Sequence, residues 1–215
     1  MADTSPSRPG SAAWWEDRVE RDARTRPRAD GLTLTRIVEV ALALVDCEGL
    51  DALTVRRLAT DLETGSASLY RHIASRDELL VLMVDHVLGE IVFPLESLSG
   101  SARVAGLATE LRRVLMTHPK LLPALAAAPL LGPNAMRGAE RGLIDMTEAG
   151  FDPIAAVPAY LALIDYVLGT VYFDTSSAGQ EFRDIAEFES PTVDEVFEFG
   201  LVTFLAGLEA RFPLP

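Results

Sequence analysis

The sequence predicts an all-α chain in two parts: an N-terminal three-helix, helix-turn-helix domain joined to a larger C-terminal helical domain. Three observations carry this. Apolar residues recur at helical spacing from about residue 35 onward, and no stretch alternates with period two. The pattern breaks at residues that start and stop helices: Thr54, Ser75 with Glu78 three positions on, Gly49 and Pro94. Three short helical patterns and a longer fourth also fall within about 60 residues, the spacing of a helix-turn-helix unit and its connecting helix. Three segments follow: an Arg-rich flexible arm over 1–31, the helix-turn-helix domain over 32–76 and the second domain over 77–215.

The arm is rich in Pro, Ser, Arg and Asp and shows no sustained period. Arg21, Arg24, Arg26 and Arg28 crowd its end, and Trp14 and Trp15 are expected to dock on the folded body. From Thr35 to Glu48, Ile37, Val38, Ala41, Leu42, Leu44 and Val45 make an apolar stripe, and Gly49 stops it. Thr54 caps a second helix whose Leu58, Ala59 and Leu62 face inward. After a break at Glu63–Gly65 comes a short helix. Then "SRDE", Ser75 to Glu78, forms a capping box for a helix carrying Leu79, Leu80, Met83, Val87 and Ile91, expected to reach Phe93. Further helices are expected at roughly 101–117, 120–128, 133–149, 154–174 and 192–211, with 175–191 as a surface loop.

Composition narrows the class. With 49% hydrophobic and 24% charged residues among 215, the chain can build a core. Cys47 is the only cysteine, so an internal disulfide and CxxC metal sites are excluded and a reducing cytoplasm is expected. The N-terminus lacks the apolar core of a signal peptide. The most apolar run, 155–173, contains Pro158, Asp165 and Gly169 and reads as a buried helix of a soluble chain, not a membrane span. A net charge of −13 would argue against nucleic acid, but it is unevenly spread. Residues 1–76 hold 11 Arg against 12 acidic groups, while 77–215 hold 8 basic and 20 acidic groups.

The short helix "SASLYRHI" has a readable outer face. With Leu69 and Ile73 turned inward, a rotation of 100° per residue points Ala67 and Arg71 outward, with Ser68 and Tyr70 beside them and Ser66 near the start. Small residues let a helix sink into the major groove, Ser hydroxyls reach base edges or phosphates, and an alanine methyl suits thymine. Tyr70 and His72 have the reach for phosphates, Arg71 for phosphate or guanine, and Arg56 and Arg57 approach from the preceding helix. The competing reading is a solvated face on a structural helix.

"LTVRRLATDLETGSASLYRHIASRDELL", 53 to 80, resembles the DNA-binding domain of tetracycline-repressor-type (TetR-like) transcriptional regulators, most tellingly in "LA", "LYRHI" and the capped "SRDELL". "EAGFD", "YVLGTVYFD" and "FEFGLVTFLAGLE" resemble the effector-binding and dimerising half of the tetracycline-repressor subgroup, so the likeness spans most of the chain. It implies DNA contacts at Arg56, Ser66, Ala67, Ser68, Tyr70 and His72, with Arg76 at a phosphate. The turn departs from the family: Glu63 stands where a glycine is usual and Thr64 where an apolar residue is usual, and Gly65 is expected to take over the special backbone conformation.

The resemblance further implies a homodimer built on the last two long helices of each chain and a ligand cavity per subunit. Phe197, Leu201, Phe204, Leu205 and Leu208 offer a stripe for that interface. Arg112, His118, Asn134, Arg137, Asp165, Tyr166 and Tyr172 are the candidate ligand groups, although His86 and His118 also read as ordinary helix residues. Asp165, a carboxylate among apolar neighbours, is expected to pair across the dimer or to bind ligand. The tetracycline repressor's chelating glutamate aligns with Phe173 and one of its histidines with Val92, and no histidine follows His118. A mostly apolar or aromatic organic effector, bound without metal or other cofactor, is therefore expected, with operator DNA as the partner. An enzyme is disfavoured because Ser, His and Asp occur at no recognisable catalytic spacing. A protein-interaction role without specific DNA binding is the alternative. An excess of Arg over Lys, 18 to 1, suggests a GC-rich bacterial source.

Overall fold

The structure, a computed structural model, describes residues 7–24, 32–93, 98, 100–177, 179–181 and 191–211. Among them there are helices and turns and no strand. The helices are α1 (Ala12–Arg24), α2 (Leu34–Glu48), α3 (Val55–Asp61), α4 (Ser66–Leu69), α5 (Arg76–Leu88), α6 (Ser101–Thr117), α7 (Leu122–Ala127), α8 (Pro133–Glu148), α9 (Pro153–Thr175) and α10 (Val193–Arg211), with 3-10 turns at Leu50–Ala52 and Pro119–Leu121. The chain divides into two compact units, Met1–Gly89 with His118–Met136, and Glu90–Thr117 with Arg137–Pro215.

In the first unit α2 presents Ile37, Val38, Ala41, Leu42, Leu44 and Val45 to the interior, as its spacing requires, and packs on α3 and α5. Helix starts follow side-chain chemistry. Thr33 Oγ1 accepts from Arg36 N–H at 3.1 Å and Thr54 Oγ1 from Arg57 N–H at 3.2 Å. Ser75 Oγ accepts from Glu78 N–H at 3.1 Å, and Glu78 Oε2 takes the Ala74 N–H at 2.6 Å, a capping box shifted by one residue on its return arm. Gly49, at φ 91°, ends α2 with its N–H on Val45 O at 2.7 Å.

Four expectations need correction. The stretch expected to be an arm contains α1, a docked helix whose Trp14, Trp15 and Arg18 are buried; Arg26 and Arg28 lie outside the described residues. The boundary at residue 76 does not hold either, because α5 and 118–136 belong to the first unit. Third, α5 stops at Leu88, well before Phe93. Asn134 Nδ2 donates to the last-turn carbonyl of Asp85 at 2.9 Å, and the Asp85 carboxylate in turn caps α8 through Asn134 N–H (3.0 Å) and Ala135 N–H (3.1 Å). A Cβ on Gly89 would lie 2.8 Å from Asn134 Nδ2, so the exchange needs glycine there. Fourth, the 175–191 stretch is not loop throughout: residues 177 and 179–181 are helical, and 182–190 lie outside the described residues.

The second unit packs α9 and α10 on α6 and on each other. Asp152 caps α9 through Ile154 N–H at 2.8 Å with Pro153 at the first helical position, and Thr192 with Glu195 forms a reciprocal capping box for α10. The expectation that 155–173 is buried holds for one face only. Ala156, Ala159, Leu163, Val167 and Val171 are buried, whereas Ile154, Val157, Leu161, Tyr172 and Phe173 are exposed. By length and composition alone α9 could cross a membrane.

Candidate nucleic-acid interface and the polar clusters of the second unit

Helices α3 and α4 pack together, with the turn 62–65 between them. The turn is a Schellman closure: Thr64 N–H reaches Ala59 O at 2.9 Å and Glu63 N–H reaches Thr60 O at 3.0 Å. Glu63 itself takes the left-handed position at φ 51°, while Gly65 has φ −84° and serves as the N-cap of α4. The special conformation therefore stays where the family pattern puts it, on a glutamate, and is not passed to Gly65.

Leu69 and Ile73 are fully buried and anchor α4 and its following turn. Ser66, Ala67, Tyr70 and Arg71 are exposed, and Ser68 and His72 half-buried. The Arg71 guanidinium donates to Ser68 Oγ at 2.7 Å, which pre-aligns the two on one face. Arg56 is exposed on α3, whereas Arg57 is held by Asp61 (3.0 Å) and Glu48 (2.8 Å), whose hydrogen bonds and charge, Asp61 first, raise its pKa further. Arg76 spends two nitrogens on the backbone: Nε on Leu53 O at 3.1 Å and Nη2 on Leu50 O at 2.8 Å. It ties α5 to the loop before α3.

The expected ligand groups are divided between the two units. His118 lies in the first unit, buried, with Nδ1 2.8 Å from Asp46, and Asn134 there caps α5 as described. Arg137 is exposed with its guanidinium 5.7 Å from the Phe93 ring, and Tyr172 is exposed on α9. Asp165 is also exposed, so the premise that burial forces it to find a partner fails. Within the second unit Arg112 and Tyr166 come together around Phe197. Arg112 bridges Asp194 (2.7 Å) and Asp174 (3.4 Å) and lies 4.7 Å from the Phe197 ring. Tyr166 stacks on Phe197 at 5.7 Å and donates its hydroxyl to Phe197 O at 2.7 Å. Burial, with Asp174 nearby and against the pull of Arg112, raises the Tyr166 pKa, so the phenol stays a donor at neutral pH.

Sequence reasoning missed a second cluster. Asp145 on α8 is fully buried and receives Arg103 from α6 (3.3 Å) and Arg141 (3.0 Å), while Arg103 also pairs with Glu148. Asp145 Oδ2 has no hydrogen-bond partner among the described residues. The stripe expected at a subunit interface is divided between the interior of the unit and its surface. Phe197, Leu201 and Leu205 are buried within their own unit and Phe204 and Leu208 half-buried; the exposed apolar side of α10 is Val196, Phe199 and Val202. Among the described residues no group of His, Cys, Asp and Glu could hold a metal ion.

Residues 37–83 match the bacterial regulatory proteins of the tetR family, and 94–191 match the tetracyclin repressor-like C-terminal domain. An HTH-type transcriptional regulator of Saccharopolyspora erythraea is 37% identical over 169 residues, 78% of this chain and 69% of the relative. The HTH-type transcriptional repressor DrrR1 of Streptomyces coeruleorubidus is 34% identical, over 85% of this chain and 67% of its own. Among solved structures, the TetR family protein ActR of Streptomyces coelicolor in complex with actinorhodin superposes with a TM-score of 0.76 at 33% identity, covering 86% of this chain and 98% of that one.

Proposed function

Because the chain belongs to the TetR family of bacterial regulatory proteins, and is thus a DNA-binding transcriptional regulator, we propose that it acts in the cytoplasm as a homodimeric repressor. A small, mostly apolar or aromatic organic effector, bound without metal, releases it from its operator. The observation that carries the DNA-reading part is the two-sided segment 66–73, α4 and the turn after it: Leu69 and Ile73 are fully buried, while Ser66, Ala67, Tyr70 and Arg71 face outward, the small Ser66 and Ala67 leading. In this reading Ser66, Ala67 and Ser68 meet base edges. Arg71 meets a guanine edge or phosphate, and Arg56, Tyr70, His72 and the remaining nitrogen of Arg76 meet phosphates.

One short helix makes too few contacts to select an operator, so two copies must address two half-sites. The exposed apolar residues of α9 (Val157, Leu161, Tyr172) and α10 (Val196, Phe199, Val202) support the subunit interface, since monomers rarely leave such faces to water. Asp165, exposed on α9, pairs across that interface or meets the ligand. The same need for cover explains the apolar length of α9 without a membrane. Arg112 and Tyr166 are the ligand-facing polar groups this reading retains. Release requires that the effector bind the non-operator conformation more tightly than the operator-bound one.

The relatives favour this reading over a protein-interaction role: one is named a repressor, and ActR was solved in complex with actinorhodin. The test is release of the protein from operator DNA by a panel of polycyclic aromatic compounds, with and without a chelator. Release that survives the chelator supports the proposal, and strict dependence on a divalent cation overturns the metal-free part of it.

A further inference from the structure

We propose that Arg18, on the N-terminal helix α1, is a positioning residue for DNA reading: it fixes the angle at which α4 leaves the body of the first unit. The proposal rests on the DNA-binding reading and adds a part that neither the DNA-contacting face nor the helix-turn-helix motif contains.

The helix that reads is very short. Ser66–Leu69 forms a single turn, and the backbone then continues through 3-10-type bonds, Arg71 N–H to Ser68 O and His72 N–H to Leu69 O, before the corner into α5. A single turn with so few internal hydrogen bonds has little stiffness of its own. Its orientation depends on what holds the corner at residues 72–78, and Arg18 holds it from outside. Nη1 donates to Glu78 Oε1, and Nη2 donates to the carbonyl of His72 at 3.2 Å. Glu78 Oε2 accepts the Ala74 N–H at 2.6 Å, and Glu78 N–H is taken by Ser75 Oγ. One guanidinium therefore joins the last residue of the reading segment to the first turn of α5.

The brace is anchored. The Arg18 and Glu78 side chains are 4% and 2% exposed. Trp14 and Trp15 are buried and meet edge-to-face at 4.8 Å, and the Arg18 guanidinium lies 5.9 Å from the Trp14 ring. Ahead of α1, Gly10 at φ 85° lets the chain approach Pro129 and Val81, where a Cβ would meet them at 3.0 and 3.2 Å. A buried ion pair adds little stability over an apolar pair of the same shape, because desolvation offsets its attraction. What a guanidinium adds is direction: a planar fork with donors at fixed angles can hold a carboxylate and a carbonyl together, which a single ammonium cannot.

The full chain is first used to select a duplex from a random-sequence pool; failure to enrich any sequence would count against DNA reading itself, not against Arg18. Affinity for the selected duplex and a scrambled one is then measured across salt, well below the melting temperature, for Arg18→Lys and for the uncharged pair Arg18→Met with Glu78→Gln. The expected result is a loss of about tenfold or more on the selected duplex with little change on the scrambled one, because specific binding needs the correct helix angle and non-specific binding does not. The salt slope should be unchanged, since Arg18 neutralises no phosphate. Arg18→Lys keeps the charge opposite Glu78, so it remains informative should the double variant fail to fold. Wild-type discrimination in a folded Arg18→Lys protein overturns the proposal, as does a smaller salt slope with both duplexes weakened alike, which would make Arg18 a phosphate contact.

Discussion

Replacing Glu63 by glycine should make the protein more stable, although it removes a side chain and every contact that side chain makes. Glu63 closes α3 at the one position of the Schellman motif that demands a left-handed backbone, φ 51°. For a residue with a Cβ that conformation costs about 1–2 kcal/mol. Glycine avoids the cost but brings back about 0.5–1 kcal/mol of extra freedom in the unfolded chain. The difference leaves a gain of about 0.5–1 kcal/mol, or roughly 1–4 °C in melting temperature for a chain of this size. Glu63→Ala removes the same charge and keeps the Cβ, so it separates conformation from electrostatics. Thermal unfolding followed by circular dichroism, at one protein concentration so that any self-association is held constant, should rank glycine above both glutamate and alanine. A glycine variant no more stable than the alanine variant would refute the argument and the turn geometry behind it.

Other perturbations follow from the same structure. Thr54→Ala removes the N-cap of α3 and should cost about 1 kcal/mol, read as a lower denaturation midpoint with an unchanged slope. Glu110 is held below the usual carboxylate range, first by hydrogen bonds from Arg113 and then by the Val92 N–H, against the effect of burial. A lowered folded pKa stabilises above the ordinary value of 4.5 and that contribution fades as pH falls through the lowered one, so the melting deficit of Glu110→Gln at pH 7 should shrink steadily in acid. Introducing a charge by Phe199→Glu or Val202→Glu, at residues 76% and 67% exposed, should leave a folded monomer in sedimentation; an intact dimer would place the interface elsewhere.

Most helix starts were legible because Thr54, Ser75 and Glu78 satisfy free N–H groups by local chemistry that needs no knowledge of the fold. The inner and outer faces of α4 were legible because Leu69 and Ile73 are one turn apart. Helix α1 was not. Its buried side consists of Trp14, Trp15 and Arg18, and an arginine reads as a core residue only when its partner, Glu78, sixty residues away, is known. The end of α5 was hidden for a similar reason, since Asn134 caps it from far along the chain. In the second unit apolar surroundings misled. Asp165 looked buried because its neighbours are apolar, yet it stands on the outward side of α9 while Leu163 and Val167 beside it turn inward, and the buried acid, Asp145, sits in a helix that looks polar. Likewise α10 is apolar on both sides, and periodicity alone cannot tell the side that packs on its own unit from the side left for a partner.

If α4 and the turn after it read DNA sequence, the effect shows in anisotropy binding of wild-type protein and Tyr70→Ala to DNA flanking the protein's own gene, in the presence of excess unrelated duplex. Wild-type binding should survive the competitor and be lost on substituting Tyr70, with the assembly state the same in both. Binding that the competitor abolishes, or that is indifferent to Tyr70, would contradict that reading.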